Sequence, residues 1–291
     1  MAEITAAAVK TLRDQTGAGM MDCKRALGEA DGDLKKAVEV LRERGLAKAG
    51  KREGRATSEG RIAIVFSGGT AGMVDVGCET DFVARTDDFG ALADALARAV
   101  AADASANGPE ALLGLSVDGE KLADRVAAAI AKLGENVVVK RVARHSVDGD
   151  GVASGYVHAG GKLGVVLTLR SSASGDAIEA LGRDLAMHIA AADPSPVSLD
   201  REGVAEDLLE TERSIYRKQS EQEGKPEKVI DRIVQGRINK YLSEICLLEQ
   251  AFVKDPDRSV GDLLSDAAKE VGTEISVVDF RRFKLGEAGG E

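Results

Sequence analysis

The sequence predicts an α+β protein: an N-terminal three-helix bundle, a core in which a β-hairpin-plus-helix unit occurs twice, and an inserted antiparallel helical hairpin. Three observations carry this prediction. Apolar residues recur every three or four positions through the first 45 residues. From Gly60 the period drops to two around Gly68-Gly69, a helical pattern follows, and both features return around Gly160-Gly161. Between Val204 and Tyr241 the steps are again of three and four, broken at Gly224-Lys225-Pro226.

Residues 1–45 divide into three helical patterns. Thr5 is placed to cap a helix carrying Val9 and Leu12, which Thr16-Gly17-Ala18-Gly19 breaks. Met20, Cys23, Leu27 and Ala30 form the apolar stripe of a second helix. Asp33 caps a third, with Leu34, Ala37, Val38 and Leu41 on one face and Gly45 as its expected C-terminal cap. Residues 46–59 lose this pattern and read as a basic linker carrying Lys48, Lys51, Arg52 and Arg55.

A first core subdomain is expected over 60–147. Ile62, Ile64 and Phe66 alternate, as do Val74, Val76 and Cys78 across the glycine turn, the signature of a hairpin. Phe89, Leu92, Ala93, Leu96 and Val100 mark one helix, and Leu122, Val126, Ile130 and Leu133 another ending at Gly134. Val137–Val147 reads as a strand. In 148–198 the unit returns, with Tyr156-Val157-His158 before the turn, a strand over Leu163–Leu169, and a helix bearing Ile178, Leu181, Leu185 and Ile189. Gly69 to Phe89 spans 20 positions but Gly161 to Ile178 only 17, so the first copy carries an elaboration that includes Glu79–Val83. An elaborated loop on a duplicated scaffold has two explanations, a partner site or drift after duplication.

Residues 199–250 form the helical hairpin, with seams at Val204, Leu208, Thr211 and Ile215 and at Ile230, Val234, Arg237 and Tyr241. The chain then returns to the second subdomain over 251–285. Ser259 and Asp262 signal a capped helix, and Ile275–Phe283 a closing strand. Residues 286–291 read as a flexible Gly-rich tail.

Composition narrows the function. With 39 Lys and Arg against 49 Asp and Glu, the net charge of −10 repels nucleic acid and anionic lipid. Nine Phe and Tyr and no Trp leave little for base stacking. No apolar run approaches a membrane span. Cys23, Cys78 and Cys246 and the dispersed His145, His158 and His188 show no metal-ligand spacing, and no Walker loop or nucleophile elbow is present. Sparse cysteines and the lack of a signal-like N-terminus fit a reducing cytoplasm. No cofactor or metal and no bond chemistry are expected.

The acids Asp75, Glu79, Asp81, Asp87 and Asp88 are the one group to weigh as a metal or acid–base site. Helix capping and solvation account for most of them. Phe82 lies in a polar strand-to-helix turn and has two readings: a core residue folded back on the hairpin, or an exposed anchor for a partner pocket. His188 falls on an apolar helix face and reads as core. His145 is expected to face solvent, and His158 is placed to reach outward beside its glycines. Met20 fits the core stripe, whereas Met21 points elsewhere as a soft contact.

Several longer motifs then stand in one order: Thr16-Gly17-Ala18-Gly19-Met20-Met21-Asp22-Cys23-Lys24, Glu79-Thr80-Asp81-Phe82-Val83, Gly134-Glu135-Asn136, Tyr156-Val157-His158, Ala186-Met187-His188-Ile189-Ala190-Ala191 and Gly224-Lys225-Pro226. On these motifs the chain resembles the bacterial elongation factor Ts family over nearly its whole length. The resemblance implies a ubiquitin-associated-like N-terminal bundle, a dimerisation-type helical hairpin, and guanine-nucleotide exchange on elongation factor Tu. It implies that Asp81 and Phe82, framed by Thr80 and Val83, enter the partner's nucleotide-binding domain and dislodge the magnesium ion that helps hold GDP. It also implies partner contacts at Arg13, Met20 and Met21 and at Leu133, Gly134 and His158. A homodimer through the hairpin stays open, as do a non-catalytic adaptor and, further off, a carboxylate-metal hydrolase.

Overall fold

The computed structural model describes residues 4–287. The side chain of Lys48 and residues 288–291 of the expected tail lie outside that description. Within it the protein mixes helices and sheets and divides into two compact units. One comprises residues 4–144, 157–164 and 283–287, the other His145–Tyr156 and Val165–Arg282.

The first unit begins with α1 (Ala6–Thr16), α2 (Met20–Glu29) and α3 (Leu34–Gly50). Thr5 accepts a hydrogen bond from the Ala8 amide, and Asp33 accepts from those of Lys35 and Lys36, so both caps form where the sequence offers them. Leu12, Cys23, Ala26, Leu27 and Ala37 close a small core of their own. Two expectations fail here. Met20 is 59% exposed, because the buried stripe of α2 starts one turn later at Cys23, and Val38 is exposed at the edge of α3.

Gly45 does not end α3. The helix runs on to Gly50, so residues 46–50 of the expected linker are helical. The reason is packing on α7 (Leu122–Leu133): a Cβ at Gly45 would lie 3.6 Å from that of Ala131, and the Arg52 guanidinium donates to the Ile130 carbonyl at 2.8 Å. Tertiary contact overrides the weak helix propensity of glycine.

β1 (Glu59–Ser67) and β2 (Thr70–Cys78) form an antiparallel hairpin closed by Gly68-Gly69, both at positive φ as a two-residue primed turn requires. After β2 come α4 (Asp81–Ala84), α5 (Asp87–Ala102), α6 (Pro109–Gly114) and a small hairpin of β3 (Ser116–Val117) and β4 (Glu120–Lys121). Beyond α7, β5 (Val137–Ser146) completes the sheet in the order β1-β2-β5. α5 buries Phe89, Leu92, Ala93, Leu96 and Val100 against Val74, Val76 and Val137. The helix approaches so closely that a Cβ at Gly72 would sit 2.2 Å from the Ala97 carbonyl oxygen.

The second unit holds most of β6 (Gly151–Val157) and β7 (Leu163–Arg170) and all of α8 (Asp176–Ala191). Then follow α9 (Glu206–Gln222), α10 (Glu227–Ile245), a turn of 3-10 helix (Leu247–Glu249), β8 (Ala251–Phe252), β9 (Asp255–Ser259), α11 (Val260–Val271) and β10 (Ser276–Lys284). Ser259 and Asp262 form a reciprocal capping box on α11. The sheet order is β10-β7-β6, so in both sheets the closing strand pairs with the second strand of the hairpin.

Val204, Ile230 and Val234 are buried in the hairpin seam as expected, and the rest of the seam departs from the expected rows. Leu209 and Ser220 are buried on α9 where Leu208, Thr211 and Ile215 were expected, and Ile230, Val234, Ile238, Leu242 and Ile245 on α10. Arg237 lies outside the seam, its guanidinium 5.8 Å from the Tyr216 ring centroid and hydrogen-bonded to Gln219. Choosing the fully apolar α10 row keeps a charge out of the core. His145 also departs from expectation. It is 5% exposed, its Nδ1 lies 3.8 Å from Asp279, and burial holds its pKa below the ordinary value.

Candidate functional site

The elaborated turn is built from two threonine caps in series. Thr80 is extended, and its Oγ1 accepts from the Val83 amide to start the single turn of α4. Thr86 donates to the Val83 carbonyl at 2.8 Å and accepts from the Phe89 amide to start α5. One turn of helix between two caps leaves room for one inward and one outward face. Val83 and Ala84 pack inward on the core of β1, β2 and α5. Phe82 points outward and is 81% exposed, well beyond the other exposed apolar side chains of the described residues. Of its two sequence readings, the folded-back core residue is excluded.

Glu135 holds the turn from behind. It follows Gly134, the left-handed cap of α7, and accepts three hydrogen bonds: from the Glu79 amide at 3.1 Å, the Thr80 amide at 2.9 Å and the Thr80 hydroxyl at 2.5 Å. Glu79 in turn accepts from the Asn136 amide at 2.7 Å and pairs with Arg55, whose carbonyl receives the Asn136 side-chain amide. The Cys78 thiol donates to the Thr80 carbonyl. Burial, with the Glu135 charge beside it, pushes that thiol up to about 11.

The acidic residues of this region go to separate partners. Asp75 is buried and pairs with Arg141, Asp81 with Arg85 at 3.0 Å, and Asp88 with Lys132 at 2.8 Å. Among the described residues no group of three or more His, Cys, Asp or Glu side chains could hold a metal ion. No described helix is long and apolar enough to cross a membrane.

The other residues singled out in the sequence fall into three places. Leu133 is half-buried on the core and Gly134 sits at φ 83°, so both adjoin the Thr80–Val83 turn through Glu135. Arg13 is exposed at the end of α1, and Met20 and Met21, at 59% and 64% exposure, open α2. Their bundle is tied to the same helix: a Cβ at Gly17 would meet the Lys132 stem at 3.0 Å, and Arg42 hydrogen-bonds Asp124. His158 is exposed on the β6–β7 turn, whose Gly161 carbonyl accepts from the Ile62 amide of β1.

Glu135 and Lys132 were not singled out as individual residues in the sequence. A signal was available for Glu135, since an acid just past the negative end of a helix dipole is disfavoured unless it serves another purpose.

An aromatic ring displayed on a hydrogen-bonded turn has the features of a protein-docking surface. The family model described as Elongation factor TS matches residues 79–287. Elongation factor Ts of Clostridium botulinum (strain Alaska E43 / Type E3) is 46% identical over 287 residues, covering 98% of this chain and 93% of the relative. That of Chlorobium phaeobacteroides (strain BS1) is 44% identical, covering 98% of this chain and all of the relative, and that of Magnetococcus marinus 42%, over 98% and 93%. The chain belongs to the elongation factor Ts family, and so to the elongation factors of protein biosynthesis.

Proposed function

We propose that the chain is a cytoplasmic guanine-nucleotide exchange factor that docks on elongation factor Tu and promotes GDP release without bond chemistry of its own. Thr80, Asp81, Phe82 and Val83 enter the partner near its magnesium and phosphate site. Arg13, Met20, Met21, Leu133, Gly134 and His158 add contacts around them. One observation carries this reading: Phe82 stands 81% exposed on a turn fixed by two caps and a carboxylate, a poor place for an apolar ring without a partner to bury it.

The energetics demand breadth. Speeding release by ~10⁴ requires lowering the barrier by roughly 5.5 kcal/mol. Burying one Phe supplies about 1.5–3 kcal/mol, so the N-terminal methionines and the core contacts are needed alongside it. Linkage adds a constraint: if the factor weakens GDP binding, GDP weakens binding of the factor by the same ratio.

The net charge of −10 supports a protein partner over nucleic acid or lipid. The matching strand orders of the two sheets support a duplicated core, and the separate core of α1–α3 supports a ubiquitin-associated-like bundle. Ile215 and Val229, exposed on the helical hairpin, support self-association there. A sedimentation series that stays monomeric at every concentration rules that last element out.

The test is release of a fluorescent GDP analogue from elongation factor Tu. Acceleration by substoichiometric amounts of this protein is the expected result. Binding without acceleration leaves an adaptor and refutes exchange.

A further inference from the structure

We infer that Glu135 is a positioning residue for the docking turn: its carboxylate fixes the orientation in which Asp81 and Phe82 meet the partner. This rests on the exchange reading above and adds a residue to it. The argument starts from donor count. One oxygen of Glu135 accepts from two successive backbone amides, Glu79 at 3.1 Å and Thr80 at 2.9 Å, and the other accepts from the Thr80 hydroxyl at 2.5 Å. Once the Thr80 proton is committed to Glu135, a lone pair of the same oxygen faces the Val83 amide, which donates to it at 3.4 Å. A relay therefore runs from Glu135 through Thr80 to the first turn of α4, on which Phe82 sits.

The far end of the relay is itself anchored. Glu135 follows α7 directly, and α7 is packed against α3 through Gly45 and Ala131 and linked to α5 through Lys132 and Asp88. Its C-terminal end is a fixed point, whereas Thr80–Val83 has four residues of local structure and no buried side chain within α4. Beyond the α4 backbone bond from the Arg85 amide, the Asp81 side chain is held, among the described residues, by a solvent-facing pair with Arg85. Charge-assisted bonds to Glu135 are the strongest restraint on the turn.

The experiment compares Glu135→Ala, Glu135→Gln, Phe82→Ala and the double variant Phe82→Ala/Glu135→Ala. The readout is fluorescent GDP-analogue release from elongation factor Tu across a range of factor concentrations, alongside amide hydrogen exchange at Glu79, Thr80 and Val83. Glu135→Ala is expected to lower the maximal release rate by about tenfold or more, as loss of charge-assisted bonds implies, with less change in the half-saturating concentration. The three amides then exchange faster. Glu135→Gln keeps an oxygen for the two amides but turns a donor toward Thr80, so an intermediate loss is expected. Should Glu135→Ala fold poorly by thermal unfolding, the Gln variant carries the same comparison. Because Glu135 acts through the turn that carries both Asp81 and Phe82, the double variant should lose clearly less than the two single losses combined. Additive losses, or a full maximal rate in a Glu135 variant with unprotected amides, overturn the assignment. A full rate in Phe82→Ala overturns the underlying docking reading instead, so the two failures are distinguishable.

Discussion

Asp75→Ala tests whether the sheet beneath the Thr80–Val83 turn is held by a buried ion pair. Asp75 is 1% exposed on β2, and one of its oxygens accepts from Arg141 Nε at 3.0 Å and Nη2 at 2.7 Å. Its other oxygen is buried without a hydrogen-bond partner among the described residues. Arg141 also donates to the Lys284 carbonyl at 2.8 Å and stacks 4.5 Å above the Phe283 ring. Replacing Asp75 with Ala leaves a guanidinium, 16% exposed, with one carbonyl and one ring and no counter-charge. Breaking a buried pair from one side costs about 3–5 kcal/mol, because the remaining charge hydrates only in part and cannot neutralise. Arg cannot escape by losing its proton. The assay is urea unfolding followed by hydrogen exchange at β2 and β5 amides, since a chain of two units need not unfold in one step. Asp75→Ala combined with Arg141→Met should recover most of the loss, because the pair already carries one unsatisfied oxygen and the desolvation cost of both charges disappears. A single-variant loss under about 1 kcal/mol, or a double variant as unstable as the single, refutes the reasoning.

Three further outcomes are expected. His188 is fully buried, accepts from the Val253 amide at Nδ1 and pairs through Nε2 with Gln250, and burial holds its pKa below the ordinary 6.5. The unfolded chain therefore binds the proton first, so stability is fully present above about pH 6.5 and falls as the pH drops toward the folded value. His188→Gln should flatten that slope in acid-unfolding curves unless His145, shifted in the same direction, dominates it. Cys78, with its thiol at about 11, and the buried Cys23 and Cys246 should resist a thiol reagent at pH 8 until denaturant is added, and prompt reaction of the native protein contradicts their placement. Met20→Ala with Met21→Ala removes two exposed side chains, so the melting temperature should stay constant while GDP release slows; unchanged release counts against contact by the N-terminal bundle.

Much of the fold was legible because it is local. Thr5, Asp33 and Ser259 cap helices within three residues of themselves, and Gly68-Gly69 closes its hairpin without help from elsewhere. What stayed hidden depends on distant contacts. Gly45 reads as a stop signal until α7 is known to pack over it. The α9–α10 seam holds at Val204, Ile230 and Val234 but departs elsewhere, because Leu208 and Leu209 are equally apolar and only the opposing helix makes Leu209 the more buried. His145 was readable in principle, since it shares strand parity with buried Val137 and Val139. At the Thr80–Val83 turn, the sequence motif pointed to Phe82, and one helical turn is too short to show a period. The bond from Glu135 crosses 55 residues, a distance no local pattern spans.

The central claim is that an exposed Phe82 drives nucleotide release. Its most direct test is release of a fluorescent GDP analogue from elongation factor Tu with wild-type protein and with Phe82→Ala. An 81% exposed ring contributes little to folding, so the variant should unfold within about 0.5 kcal/mol of wild type. Release should nevertheless slow by at least about tenfold, the kinetic equivalent of losing the burial of one aromatic ring. A well-folded Phe82→Ala protein that releases GDP at the wild-type rate contradicts the account.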